Sequence, residues 1–137
     1  MTLKIVLDRM VQPKEITSLI YGTGALGYEW WNDVQWRRYT DGGNTSERLS
    51  LRDHDIDEAQ EGDYFLFVVD DPDEPEGSGK TRKVLVTMAQ MAEAAGKAIA
   101  AGHLYEPDAL REDLGYADAP QADCVMQWAA FGEVVYG

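Results

Sequence analysis

The residues best suited by type to do chemistry lie between Arg52 and Asp63, in the stretch RDHDIDEAQEGD. Asp53, Asp55 and Asp57 stand at alternate positions, the spacing with which a calcium loop begins. Such a loop needs glycine at its sixth position for a sharp turn and a bidentate glutamate at its twelfth. Counted from Asp53, those places hold Glu58 and Tyr64, so the stretch reads as a solvated acidic loop. His54 beside Asp55 has the composition of an acid–base pair, but no nucleophile context accompanies it. GTGALG, Gly22 to Gly27, matches G-x-G-x-x-G by letter. Phosphate chemistry requires that motif to follow a strand and open a helix. Here it ends a helical pattern, and its glycines read as a helix stop. Cys124 is the only cysteine and His54 and His103 the only histidines, which excludes an internal disulfide and Cys-rich or multi-His metal centres. Among apolar neighbours, Cys124 reads as a small buried hydrophobe. With no serine elbow, P-loop or zinc-protease helix, no catalytic residue, cofactor or metal is assigned, and the reading is of a non-enzyme.

What remains is charge. The 137 residues carry 25 acids against 12 bases, a formal −13. Eleven of those acids fall between Asp53 and Glu76, with no Lys or Arg among them. Direct nucleic-acid binding depends on Lys and Arg releasing counterions from phosphates, so this balance argues against it and none is expected. A negative surface is drawn instead to a basic one, and that steering raises association rates about 10–10³-fold. The residues nominated for partner contact are Asp53, Asp55, Asp57, Asp70, Asp71, Asp73 and Glu74, with Trp30, Trp31 and Trp36 as aromatic anchors, core packing being the other reading of these tryptophans.

The elements that would position these residues follow from periodicity. Leu3, Ile5 and Leu7 predict a first strand. Pro13 opens a helix with Ile16, Leu19, Ile20 and Thr23 on one face, running to about Ala25. YEWWNDVQWRRY, Tyr28 to Tyr39, is a β-prone strand whose alternation slips at Val34 and Trp36. A short strand is expected near Arg48 to Leu51, and Asp63 to Asp70 is the clearest strand, fit for a central position. Asp71 to Lys80 is a turn-rich connector, and Arg82 to Val86 a further strand or the entry to a helix. Thr87 to Gly102 is an Ala-rich helix with Met88, Met91, Ala95 and Ala98 inward. Pro107 to Leu114 supplies one or two helical turns. The order predicts an α+β fold over one domain, residues 1–137: an antiparallel sheet of about four strands with helices on one face. Apolar runs fall short of the ~18 residues a membrane span needs, and no signal-peptide pattern is visible, which points to the cytoplasm.

The last element runs from about Ala119 to Val134. Ala122, Val125, Met126 and Ala129 form one apolar stripe, and Cys124, Trp128, Phe131 and Val135 a second, so this helix must be mostly buried. Asp118 is placed to cap it, and Asp123 and Gln127, one turn apart, to hydrogen-bond each other or a strand. The stretch ADAPQADCVMQWAAFGEVVYG, Ala117 to Gly137, resembles the carboxy-terminal signature of a family of small, mostly uncharacterised proteins of bacteriophages and mobile elements. The likeness lies in Asp118, Ala119, Ala122, Asp123, Gln127 and the closing Phe131 to Gly137, and TGALGYEWW, Thr23 to Trp31, resembles that family's helix, Gly-Gly and Tyr-Trp pattern more loosely. Pro120-Gln121 departs from it, and the acidic middle is not covered. The resemblance implies phage origin and kinship of fold, with no established activity.

Charge and resemblance together give the expectation of a phage protein in the host cytoplasm that binds a host protein with a basic surface. It would inhibit a defence or nucleic-acid-processing complex, as anti-CRISPR proteins do, by blocking or imitating nucleic-acid contacts. The alternative is a small enzyme or ligand-binding protein with its site between the aromatic strand and the last helix, using Asp118, Asp123 or Gln127. A homodimer through the aromatic strand is a third reading.

Overall fold

The computed structural model describes residues 9–75 and 77–136. The strand expected at Leu3, Ile5 and Leu7 lies outside them. Helix α1 is Pro13–Tyr21, with proline in its first turn and the Glu15 carboxylate accepting from the Gln12 amide at 2.8 Å. It stops four residues before the expected Ala25: the Gly22 amide makes the last helical bond, to the Ser18 carbonyl, and Gly24 then takes φ +88°. A Cβ at Gly22 would stand 2.8 Å from that same carbonyl oxygen, so the glycine is required.

Strands β1, Trp31–Thr40, β2, Thr45–Leu49, β3, Tyr64–Asp70, and β4, Thr81–Thr87, form one antiparallel sheet in the order β2-β1-β3-β4. β3 is central, as its apolar run demands. β2 begins and ends earlier than the sequence pattern suggests, since Asp41–Gly43 turns so tightly that Thr40 already faces Thr45. Between Trp31 and Asp33 the pairing with β3 shifts by one residue. That bulge is the slip in the alternation: it puts Trp31, Val34 and Trp36 together on the inner face opposite Val69, Phe67 and Phe65.

Helices α2, Met88–Ala100, α3, Pro107–Glu112, and α4, Ala119–Phe131, complete the described chain. The expected caps are in place: the Thr87 hydroxyl accepts from the Gln90 amide at 3.1 Å, and Asp118 from the Gln121 amide at 3.0 Å. α4 ends at Phe131 rather than Val134, because Gly132 adopts φ +75°. The architecture is α+β, as expected. Phe65, Phe67, Leu19, Ile20, Met91, Val125 and Met126 are all fully buried in one core cluster between the sheet and the helices. The other sheet face is open and mixed in character, with Asp33, Gln35, Arg37 and Tyr39 projecting from β1. No helix among the described residues is long and apolar enough to cross a membrane.

Candidate functional site

Two of the three tryptophans nominated as surface anchors belong to the core. Trp36 is 1% exposed and Trp31 7%, which leaves neither a surface to offer a partner. The bulge explains the correction, since it turns both rings inward. Trp30 is half-buried, its indole stacked between the rings of Tyr28 and Tyr136 at centroid distances of 4.8 and 5.3 Å. Of the aromatics on β1, Tyr39 remains at the surface, 51% exposed.

A tryptophan carries one N–H that needs an acceptor when buried. Two buried aspartates supply them. Asp63 Oδ2 accepts from Trp36 Nε1 at 2.9 Å, while Arg38 reaches Asp63 Oδ1 at 2.7 Å and Oδ2 at 3.0 Å. Asp123 Oδ1 accepts from Trp30 Nε1 at 2.8 Å and from Trp31 Nε1 at 2.6 Å, and its Oδ2 from Gln127 Nε2 at 2.7 Å. The two sites differ in charge. Burial works against ionisation of Asp63, but the Arg38 guanidinium, the Gln60 amide and the Trp36 indole outweigh it and hold the carboxyl below its ordinary range. Asp123 has only neutral donors. Burial therefore prevails over the Trp30, Trp31 and Gln127 hydrogen bonds and pushes its carboxyl up.

Gln127 extends the Asp123 network to the C-terminal segment. Its Oε1 accepts from the Val135 and Tyr136 amides, both at 2.8 Å, and its Nε2 donates to the Tyr136 carbonyl at 2.9 Å. The Tyr136 hydroxyl reaches the Asp70 carbonyl at the end of β3, 2.9 Å away. The segment after α4 is thus pinned across the start of β1. Beneath it lies a cleft of roughly 370 Å³, lined chiefly by Tyr28, Trp30, Pro120, Asp123, Cys124 and Tyr136. This is where the alternative reading placed a ligand site, with Asp123 and Gln127 in it and Asp118 serving only as a cap. Burial, with the neighbouring Asp123 charge, raises the Cys124 thiol to about 11, so it is no nucleophile near neutral pH. His103 Nδ1, at the rim, accepts from Trp128 Nε1 at 3.1 Å.

The acidic residues separate into two groups at opposite ends of β3, about 20 Å apart at the usual strand rise. Asp53, Asp55 and Asp57 are exposed, together with Glu58 and Glu61. Asp55 also anchors the 3₁₀ turn Ile56–Glu58, its amide bonded to the Glu58 carboxylate at 2.8 Å. At the far end the acids are partnered. Asp71 and Asp73 both bind Arg82, at 3.0 and 2.5 Å, Glu74 faces Lys80 at 4.0 Å, and Asp70 accepts from Asn32 at 2.7 Å. The exposed loop adjoins a groove lined by Asp57, Asp113, Lys14 and Tyr116, the last 64% exposed. Nothing in the local pattern of the sequence distinguished Tyr116 from a buried tyrosine. No group of three His, Cys, Asp or Glu side chains among the described residues could hold a metal ion.

A scan against protein-family models and searches of curated proteins and of solved structures found no match to this chain.

Proposed function

We propose that the chain is an acidic docking protein that binds a basic surface of a host protein and so competes with nucleic acid for it. The observation that carries this reading is the loop from Asp53 to Glu61. Its five acids are all exposed, and no Lys or Arg lies among them. The Asp70 to Glu74 segment supports the reading less, because Arg82, Lys80 and Asn32 already engage its carboxylates. The interface therefore centres on the 53–61 loop and the adjoining groove. There Tyr116 takes the anchoring role for which the tryptophans were nominated, tyrosine being among the residues that dominate interface energetics. A basic segment lying in that groove would meet Asp57 and Asp113 with its charges and Tyr116 with its apolar length. Phage origin and inhibition of a defence or nucleic-acid-processing complex rest on the C-terminal resemblance and the charge.

The test is competition. The intact protein is used as bait in lysate of a bacterial host, and captured proteins are challenged with duplex DNA or RNA. The reading predicts a captured protein that nucleic acid displaces, while the purified chain itself shifts no nucleic acid in a gel. Captured proteins indifferent to nucleic acid and to salt between about 50 and 200 mM would contradict it.

A further inference from the structure

The cleft between the start of β1 and α4 has a carboxyl group in its floor and aromatic rings in its walls. Asp123 lines it and is 6% exposed, and its three hydrogen-bond donors, two indoles and an amide, are all neutral. No Lys or Arg lines this cleft. His103 lines the same cleft, its Nδ1 accepting from Trp128 Nε1 at 3.1 Å. A carboxylate offers about four acceptor positions, so three donors leave about one for a further partner. The walls are Tyr28, Trp30, Tyr136 and Pro120; the two tyrosines cover both faces of Trp30, so the ring faces that could attract a cation through their quadrupole are those of the tyrosines. At roughly 370 Å³ the space falls at the small end of the range, about 300–1,000 Å³, in which ligand sites lie.

The chemistry selects among ligand classes. An anion would meet Asp123 and the formal −13 of the whole chain. A metal ion would find one carboxylate where it needs several hard ligands. A neutral apolar molecule would seal the carboxylate away from water with its charge still unbalanced. A cation with a short apolar body satisfies both the floor and the walls. We propose that this cleft binds a small organic ammonium ion, with its nitrogen at the Asp123 carboxylate and its alkyl part against Trp30, Tyr136 and Pro120. The rise in the Asp123 carboxyl's proton affinity through burial is the same unmet charge seen from the proton's side.

The indoles report occupancy directly, since Trp30 and Trp31 both donate to Asp123 while Trp36 donates to Asp63. The full chain, labelled with ¹⁵N, is titrated with n-butylammonium chloride and separately with n-butanol, its neutral isostere, at equal ionic strength. The Trp30 and Trp31 indole resonances should move and saturate with n-butylammonium at a Kd of about 1 mM, with Trp36 still and n-butanol silent. Equal shifts with n-butanol, shifts that include Trp36, or no saturation would overturn the proposal. Asp123→Asn should abolish the saturable shift. Should that variant fail to fold, Tyr28→Ala, which alters a half-exposed wall, should weaken binding about tenfold. Undiminished binding in the folded variant would also overturn it.

Discussion

The Asp123–Gln127 pair makes a quantitative prediction because both Asp123 oxygens and both Gln127 amide atoms have placed partners. Asp123 must present an acceptor on both oxygens, two indoles sharing Oδ1 and Gln127 Nε2 meeting Oδ2. Asp123→Asn keeps the shape but turns one acceptor into a donor. With its oxygen left toward the indoles, the new NH₂ faces Gln127 Nε2. Turning Gln127 over does not help, since its Oε1 holds the Val135 and Tyr136 amides. One buried donor is stranded at a cost of about 1–3 kcal/mol, reduced by relief of the buried charge. Gln127→Glu sets a second carboxylate against the first and against the Tyr136 carbonyl, costing about 3 kcal/mol or more. The double variant restores a donor at 123 and an acceptor at 127, while the oxygen introduced at 127 still faces the Tyr136 carbonyl. Urea unfolding of the four proteins should thus show the double variant about 2 kcal/mol more stable than the two single losses summed, inside the usual coupling range of about 0.5–3 kcal/mol. Additivity to within about 0.5 kcal/mol would refute the assigned hydrogen-bond directions.

The remaining predictions concern pH, the thiol and the core. Asp63 and Glu15 have carboxyls held below their ordinary 3.8 and 4.5, so each contributes stability above those values that is lost as pH falls through the lowered ones. Urea midpoints should therefore drop in acid below about pH 4, and Asp63→Asn should start less stable but show a shallower acid slope. Asp123 acts in the opposite sense: its raised carboxyl contributes below 3.8 and loses that contribution as pH rises through the folded value, a slope that Asp123→Asn should lack. With its thiol near 11, Cys124 should react with iodoacetamide at pH 8 about a hundredfold more slowly than a free cysteine, and at the free rate in urea. Val125→Asp and Met126→Lys each place a charge at a fully buried position of α4, and circular dichroism should show the domain unfolded; native melting would refute the buried face.

Local signals carried most of the fold. The caps at Thr87 and Asp118, the stop at Gly102 and the facing of Asp123 to Gln127 depend on residues within four positions of one another, and each was legible as spacing. The β1 bulge was legible only as a break in alternation at Val34. Which rings it turned inward depended on pairing with β3, some 35 residues away, so Trp31 and Trp36 were misassigned to the surface. The buried aspartate partners were hidden for the same reason: Trp30 and Trp31 lie 93 and 92 residues from Asp123, and Arg38 25 from Asp63. The two acidic segments looked alike in sequence. Only the fold of the β3–β4 hairpin, which brings Arg82 back onto Asp71 and Asp73, separates a rim paired with arginine from a loop whose carboxylates, among the described residues, meet no Lys or Arg side chain in an ion pair.

The proposed docking depends on where the acids lie, beyond their number. It is tested most directly by two variants with the same loss of charge. Asp53→Asn/Asp55→Asn/Asp57→Asn/Glu61→Gln removes four charges from the loop, keeping Asn as the cap of its 3₁₀ turn and Glu58 intact. Glu47→Gln/Glu93→Gln/Glu106→Gln/Glu133→Gln removes four from exposed positions elsewhere. Both are compared with the unaltered chain as baits at equal salt. The loop variant should lose the nucleic-acid-displaceable partner while the scattered variant keeps it; equal retention, or equal loss, by the two would refute the proposed surface.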